Sequence, residues 1–135
     1  MADDDLAADL AAVAAAATRF ALSLDMYRHN NFGALKADER DQIGDQVATL
    51  NQIASILQSA AFLASFPGDG VLLAKVRAVT SDLDTALDDL DAAVAGVAKV
   101  LAFAAAGINV VGTLASGNSV VAILKAVDAA RQTLA

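Results

Sequence analysis

The sequence predicts an all-α protein, an antiparallel up-down four-helix bundle forming one domain over residues 1–135. Three observations carry this. Apolar residues recur at alternating intervals of three and four, the spacing of one helix face. One proline and eight glycines are the only strong breakers in 135 residues. Alanine, the best helix former, fills 34 of the 135 positions.

The first helix opens at Asp3, Asp4 and Asp5, whose carboxylates suit an N-cap and the positive end of the helix dipole. Its seam is Leu6, Leu10, Val13, Ala17, Phe20, Leu24 and Tyr27, and Asn30, Asn31, Phe32 and Gly33 end it. The second helix starts near Asp38, with Asp38 as cap and Asp41 three residues on as a variant capping box. Its seam runs Ile43, Val47, Leu50, Ala54, Leu57, Ala61 and Ala64, and Phe66, Pro67, Gly68, Asp69 and Gly70 make the next turn.

A long third helix is expected over 71–106, on Val76, Leu83, Leu87, Leu90, Val94, Val97 and Leu101. At about 36 residues it would outreach the first helix by some 12 Å at 1.5 Å per residue. The fourth segment, 108–135, has Val120, Leu124, Val127 and Leu134 on one side. Gly112 and Gly117 interrupt its start, and Ser116, Asn118 or Ser119 is a candidate cap.

Composition excludes several classes. At 57% apolar and 19% charged, the chain is too hydrophobic to be disordered. A net charge of −7 disfavours nucleic acid, whose phosphates need a basic face. With no cysteine and one histidine, His29, it offers no thiol chemistry and no two-histidine metal site. The acidic opening lacks the basic region of a secretory signal, which implies a cytoplasmic protein or one exported without a cleavable N-terminal signal; no constitutive transmembrane span is expected.

The absence of charge is the informative pattern. Residues 46–68 and 100–124 carry none. The second helix shows Gln46, Asn51, Gln52, Ser55, Gln58 and Ser59 where an exposed face usually has ions. Neutral polar groups lose less on desolvation than charges, so such a face suits a protein contact. The candidate interaction residues are Leu50, Gln52, Ile53, Ile56 and Leu63. The 100–124 stretch reads as an apolar hairpin between helices three and four, with its tip between 106 and 118; its candidate membrane or oligomer residues are Phe103, Ile108, Val110, Val111 and Leu114. In composition and layout, and in no motif, the chain resembles the small helical components of multi-part α-helical pore-forming toxins. That resemblance implies a hairpin sheltered in a soluble oligomer until it meets lipid.

Other constellations read as structural. His29 lies at a helix end, where it complements the negative end of the dipole, not inside a helix as a phosphotransfer histidine would. Asp84, Asp88 and Asp91 share one helical face, which is expected to be solvated opposite Leu83, Leu87 and Leu90. Lys36, Asp38, Glu39, Arg40 and Asp41 make an exposed corner. Ala98, Ala102 and Ala106 would allow close helix approach, and the five-residue spacing of Gly107, Gly112 and Gly117 fits no ligand-binding motif. No catalytic, cofactor-binding or metal motif is present. The expectation is a non-enzymatic protein without cofactor that self-associates or docks on a helical partner. A membrane-active component is the alternative, and an acidic binding module using Asp82–Asp91 is a third reading.

Overall fold

A computed structural model describes residues 2–66, 68–90 and 97–135 of the chain. Among them it shows six α-helices and no strand: α1 (Ala2–Asn30), α2 (Ala37–Leu57), α3 (Ala60–Ser65), α4 (Gly70–Leu90), α5 (Val97–Ala115) and α6 (Val120–Leu134). All six contribute to one cluster of buried apolar side chains.

Helix α1 follows its expected seam. Leu10, Val13, Ala17, Phe20, Leu24 and Tyr27 are all fully buried. Its end falls within the expected run 30–33, and Asn31 closes it, while Gly33 does not adopt a left-handed conformation. Asn31 is buried, and both its backbone N–H and its side-chain Nδ2 donate to the Tyr27 carbonyl, each at 3.0 Å. The carboxylates of Asp3 and Asp4 lie outside the described side chains.

Helix α2 begins one residue before the expected Asp38 cap. Lys36 takes the N-cap position, and its N–H donates to Glu39 Oε1 at 2.8 Å, half of a capping box. The expected seam holds through Leu57 and then breaks. Ser59 caps a new short helix by accepting the Phe62 N–H at 3.2 Å. That change of direction buries Phe62 and leaves Ala61 and Ala64 exposed.

The third predicted helix is not one rod. Asp69 Oδ1 accepts the N–H groups of Val71 and Leu72 at 3.1 Å and starts α4, which reaches Leu90. Helix α5 starts at Val97 and packs against α4, and among the described helices the longest is α1, not the third segment. Asp91 and Val94 of the expected face and seam lie outside the described residues. Helix α5 also continues past 106, the expected end of the third helix, to Ala115, which puts the turn at the late end of the expected 106–118 tip. The turn falls at 116–119. There Gly117 has φ +72°, a left-handed value that favours glycine, and Ser119 accepts the Ala122 N–H to start α6.

Helix α1 lies between α2 and α4, while α5 touches α2, α4 and α6. Helix α5 still keeps an outer face, Ala98, Lys99, Ala102, Ala105 and Asn109, on which Lys99 is the one charge, while its other sides are apolar because they meet neighbouring helices. Val100, Phe103, Ala104, Gly107, Val110, Val111 and Leu114 are buried along it. Gly107 is required for this packing: a Cβ there would collide with the Phe20 ring of α1. At Gly112 there is room, with Ile53 Cδ1 3.6 Å from the Cβ position.

Candidate functional site

Three surface features offer chemistry or contact. The most polar is the groove between α1 and α4. Alanines at 12, 15 and 16 form its floor, and Arg19, Arg77, Ser81 and Asp84 surround a space of about 300 Å³. Asp84 is not on a solvated face, as the sequence spacing implied. It turns toward α1 and is 8% exposed, whereas Asp82, Asp88 and Asp89 are exposed. The missing clue was the neighbouring helix: the Ser23 hydroxyl of α1 faces the Asp84 carboxylate and favours its charged form.

Burial holds the Asp84 carboxyl above its ordinary pKa and the nearby Asp88 charge adds to this, while the Ser23 hydroxyl and Arg19 act in the opposite direction. Its Oδ1 has no hydrogen-bond partner. Chemically the groove holds a carboxyl that retains its proton more readily than usual, next to two guanidinium groups. It has no imidazole to activate Ser23 or Ser81, since His29 lies in a separate recess with Met26 and Phe32. Among the described residues no group of three or more acidic or histidine side chains is placed to hold a metal ion.

The second feature is the corner between α1 and α2. Arg40 caps the loop by donating from Nη1 to the carbonyls of Phe32 (2.9 Å) and Leu35 (3.0 Å), and its guanidinium stands 4.2 Å from the centre of the Phe32 ring. The charged run around Lys36 thus fixes the loop that joins the two helices. His29 is exposed beside it.

The third feature is apolar. The candidate residues on α2 divide: Leu50 and Ile53 are buried in the core, Gln52 and Ile56 are exposed, and Leu63 on α3 is half-buried. In the 100–124 region, Phe103, Val110, Val111 and Leu114 are buried and Ile108 is half-buried. These residues are core within a single chain because α5 packs inward on three sides.

What the sequence reading missed is the outer face of α1. Ala8, Ala11, Ala15, Thr18, Leu22 and Met26 repeat every three or four residues on the side away from the core, and all are exposed. Leu22 is 58% and Met26 53% exposed. The signal was present as a second seam offset from Leu6–Tyr27, obscured by its alanines. Helix α1 from Asp5 to Asn30 and helix α5 are each long and apolar enough to cross a membrane by length and composition, and about a third of the apolar stretch of α1 and two-fifths of that of α5 are buried. Compared with known protein families, curated proteins and solved structures, the chain matches none.

Proposed function

We propose that this protein acts without catalysis and without a cofactor, by self-association or by docking on a helical partner protein through uncharged helix faces. The observation that supports it is the exposure of Leu22, Met26 and Ile56 on faces that carry alanine or neutral polar groups. An apolar face of this kind gains by being covered, at roughly 25 cal/mol per Å² of apolar area removed from water. The same reading keeps an alternating, up-and-down course for the long helices, in keeping with the short turns at 31–36 and 116–119. It places the protein in the cytoplasm, or outside the cell after export without a cleavable signal.

A second reading, insertion into lipid, is favoured by one observation: both α1 and α5 pass the length and apolarity test for a span. Inserting α5 would require it to leave α2, α4 and α6, so lipid should disrupt the fold and not merely bind its surface. Light scattering on the purified protein, with and without neutral and anionic vesicles, separates the two readings. Assembly that ignores vesicles supports association. A chain retained by vesicles with loss of the assembly supports insertion, and a charge at Val110 should then abolish retention.

A further inference from the structure

We propose that the outer face of α1 is a two-fold interface on which a second copy of this chain lies antiparallel, with its dyad between Ala15 and Thr18. The inference rests on the association reading above and names its surface and occupant. Four observations meet on this face.

The first is a pairing of protrusion with recess. Leu22 projects from the C-terminal half of α1. In the N-terminal half, Ala11 borders a recess of about 480 Å³ lined also by Leu57 and Leu63. A closed two-fold contact needs both halves of such a match on one surface, because each copy gives what the other receives.

The second is spacing. Leu22 and Ala11 each lie 5.5 residues from the point midway between Ala15 and Thr18, or ~8 Å along the axis. Met26 and Ala7 each lie 9.5 residues from it, or ~14 Å. One dyad therefore sets both large side chains of one copy over alanines of the other. In a parallel pair, Leu22 would meet Leu22.

The third is the narrow centre. Ala15 and Thr18 at the dyad let two backbones approach closely. The fourth is charge along α1 as a whole. Asp3, Asp4, Asp5 and Asp9 lie in its N-terminal half with no basic residue among them, while the other half holds Arg19 and His29, its Arg28 being paired with Asp25 at 2.7 Å. An antiparallel pair opposes these ends, and the two helix dipoles with them. A parallel pair stacks acid on acid.

The stripe from Ala7 to Met26 is ~30 Å long and ~10 Å wide, which is roughly 600 Å² between two copies. Stable interfaces bury about 1,200 Å² or more. The dimer is accordingly a weak one that forms only at high protein concentration.

The test uses the full chain. Sedimentation equilibrium from about 10 μM to about 1 mM should show a monomer–dimer equilibrium. Leu22→Glu should raise the dissociation constant at least tenfold, with Leu22→Ala in the same direction and helicity unchanged, because the side chain is exposed. The chain has no cysteine of its own, so single cysteines report the register. Thr18→Cys, close to the dyad, should form a disulfide-linked dimer. Ala8→Cys, with its two copies ~25 Å apart along the axis, should not. Mixing Ala11→Cys with Leu22→Cys should give the mixed dimer in preference to either self-linked one. Dimerisation that survives Leu22→Glu but is lost in Ile56→Glu would overturn this interface and leave self-association standing on α2. Equal linking at positions 8 and 18 would overturn the antiparallel register. A monomer across the whole range, with no linking at position 18, would overturn the second copy as occupant and leave only docking on a different protein.

Discussion

Replacing Gly107 with alanine tests the packing of α5 on α1 directly. Two effects of opposite sign compete. Alanine in place of glycine inside a helix is worth about 1 kcal/mol in intrinsic propensity. Against this, the new methyl would enter the space of the Phe20 ring, which is fully buried and cannot swing into solvent. Overpacking a tight core costs typically 1–3 kcal/mol. The net expectation is a loss of about 1 kcal/mol, or a fall of roughly 4 °C in melting temperature for a chain of this size. Gly112→Ala is the internal control. It lies in the same helix and gains the same propensity, but its methyl would meet Ile53 at an ordinary contact distance of 3.6 Å. It should gain up to about 1 kcal/mol. Urea melts of the two variants should therefore differ by about 2 kcal/mol with similar slopes. Phe20→Leu, by removing part of the ring, should turn the effect of Gly107→Ala toward neutral, since residues in contact do not add independently. If Gly107→Ala proves as stable as Gly112→Ala, α5 does not lie against Phe20, and the account of the charge-free segment as a core helix fails with it.

Two further outcomes follow from buried polar groups. Asp84 has a raised pKa in the folded chain, so the folded state binds more protons than the unfolded one above the usual value of 3.8, and stability should fall as pH rises through that window. Asp84→Asn should thus be more stable than the parent at pH 7, with the gap closing below about pH 4; an equal gap at both pH values in urea melts would show that the carboxyl is not desolvated. Asn31→Ala removes a buried side-chain hydrogen bond to the Tyr27 carbonyl and should cost about 1 kcal/mol, read as a drop in denaturation midpoint; no change would mean that water or another group closes α1 equally well.

The legible part of the fold was the part set by periodicity. The seam of α1 was readable because large residues, Leu10, Phe20, Leu24 and Tyr27, mark one face against alanine elsewhere. Breaks between helices were harder to read because they depend on single polar side chains. Ser59 is one hydroxyl between Leu57 and Phe62, and the alternation of apolar residues passes through it unbroken. The same weakness joined α4 to α5, since helix periodicity says nothing about where a chain turns back. The apolar turn could be read only as a span, 106–118, for a related reason. Gly112 and Gly117 both interrupt the pattern in sequence, yet Gly112 continues α5 and Gly117 takes the left-handed turn conformation. Burial at the candidate surfaces could not be read either. Leu50 and Ile53 are as apolar as Ile56, and only their rotation about the α2 axis separates core from surface.

The alanine content of α1 has a further consequence for how the fold tolerates change. Alanine gives up no rotamer freedom on burial, so Ala14, Ala17 and Ala21 are ordered at little entropic cost, but each also removes little area from water. Stabilisation is therefore concentrated in a few bulky side chains, while the small ones act as spacers that set how near the helices lie. Along this helix, substitution should be governed by volume before polarity. A serine at position 14 or 17 keeps the spacing, while a leucine, though better suited to an apolar interior by chemistry, has no room.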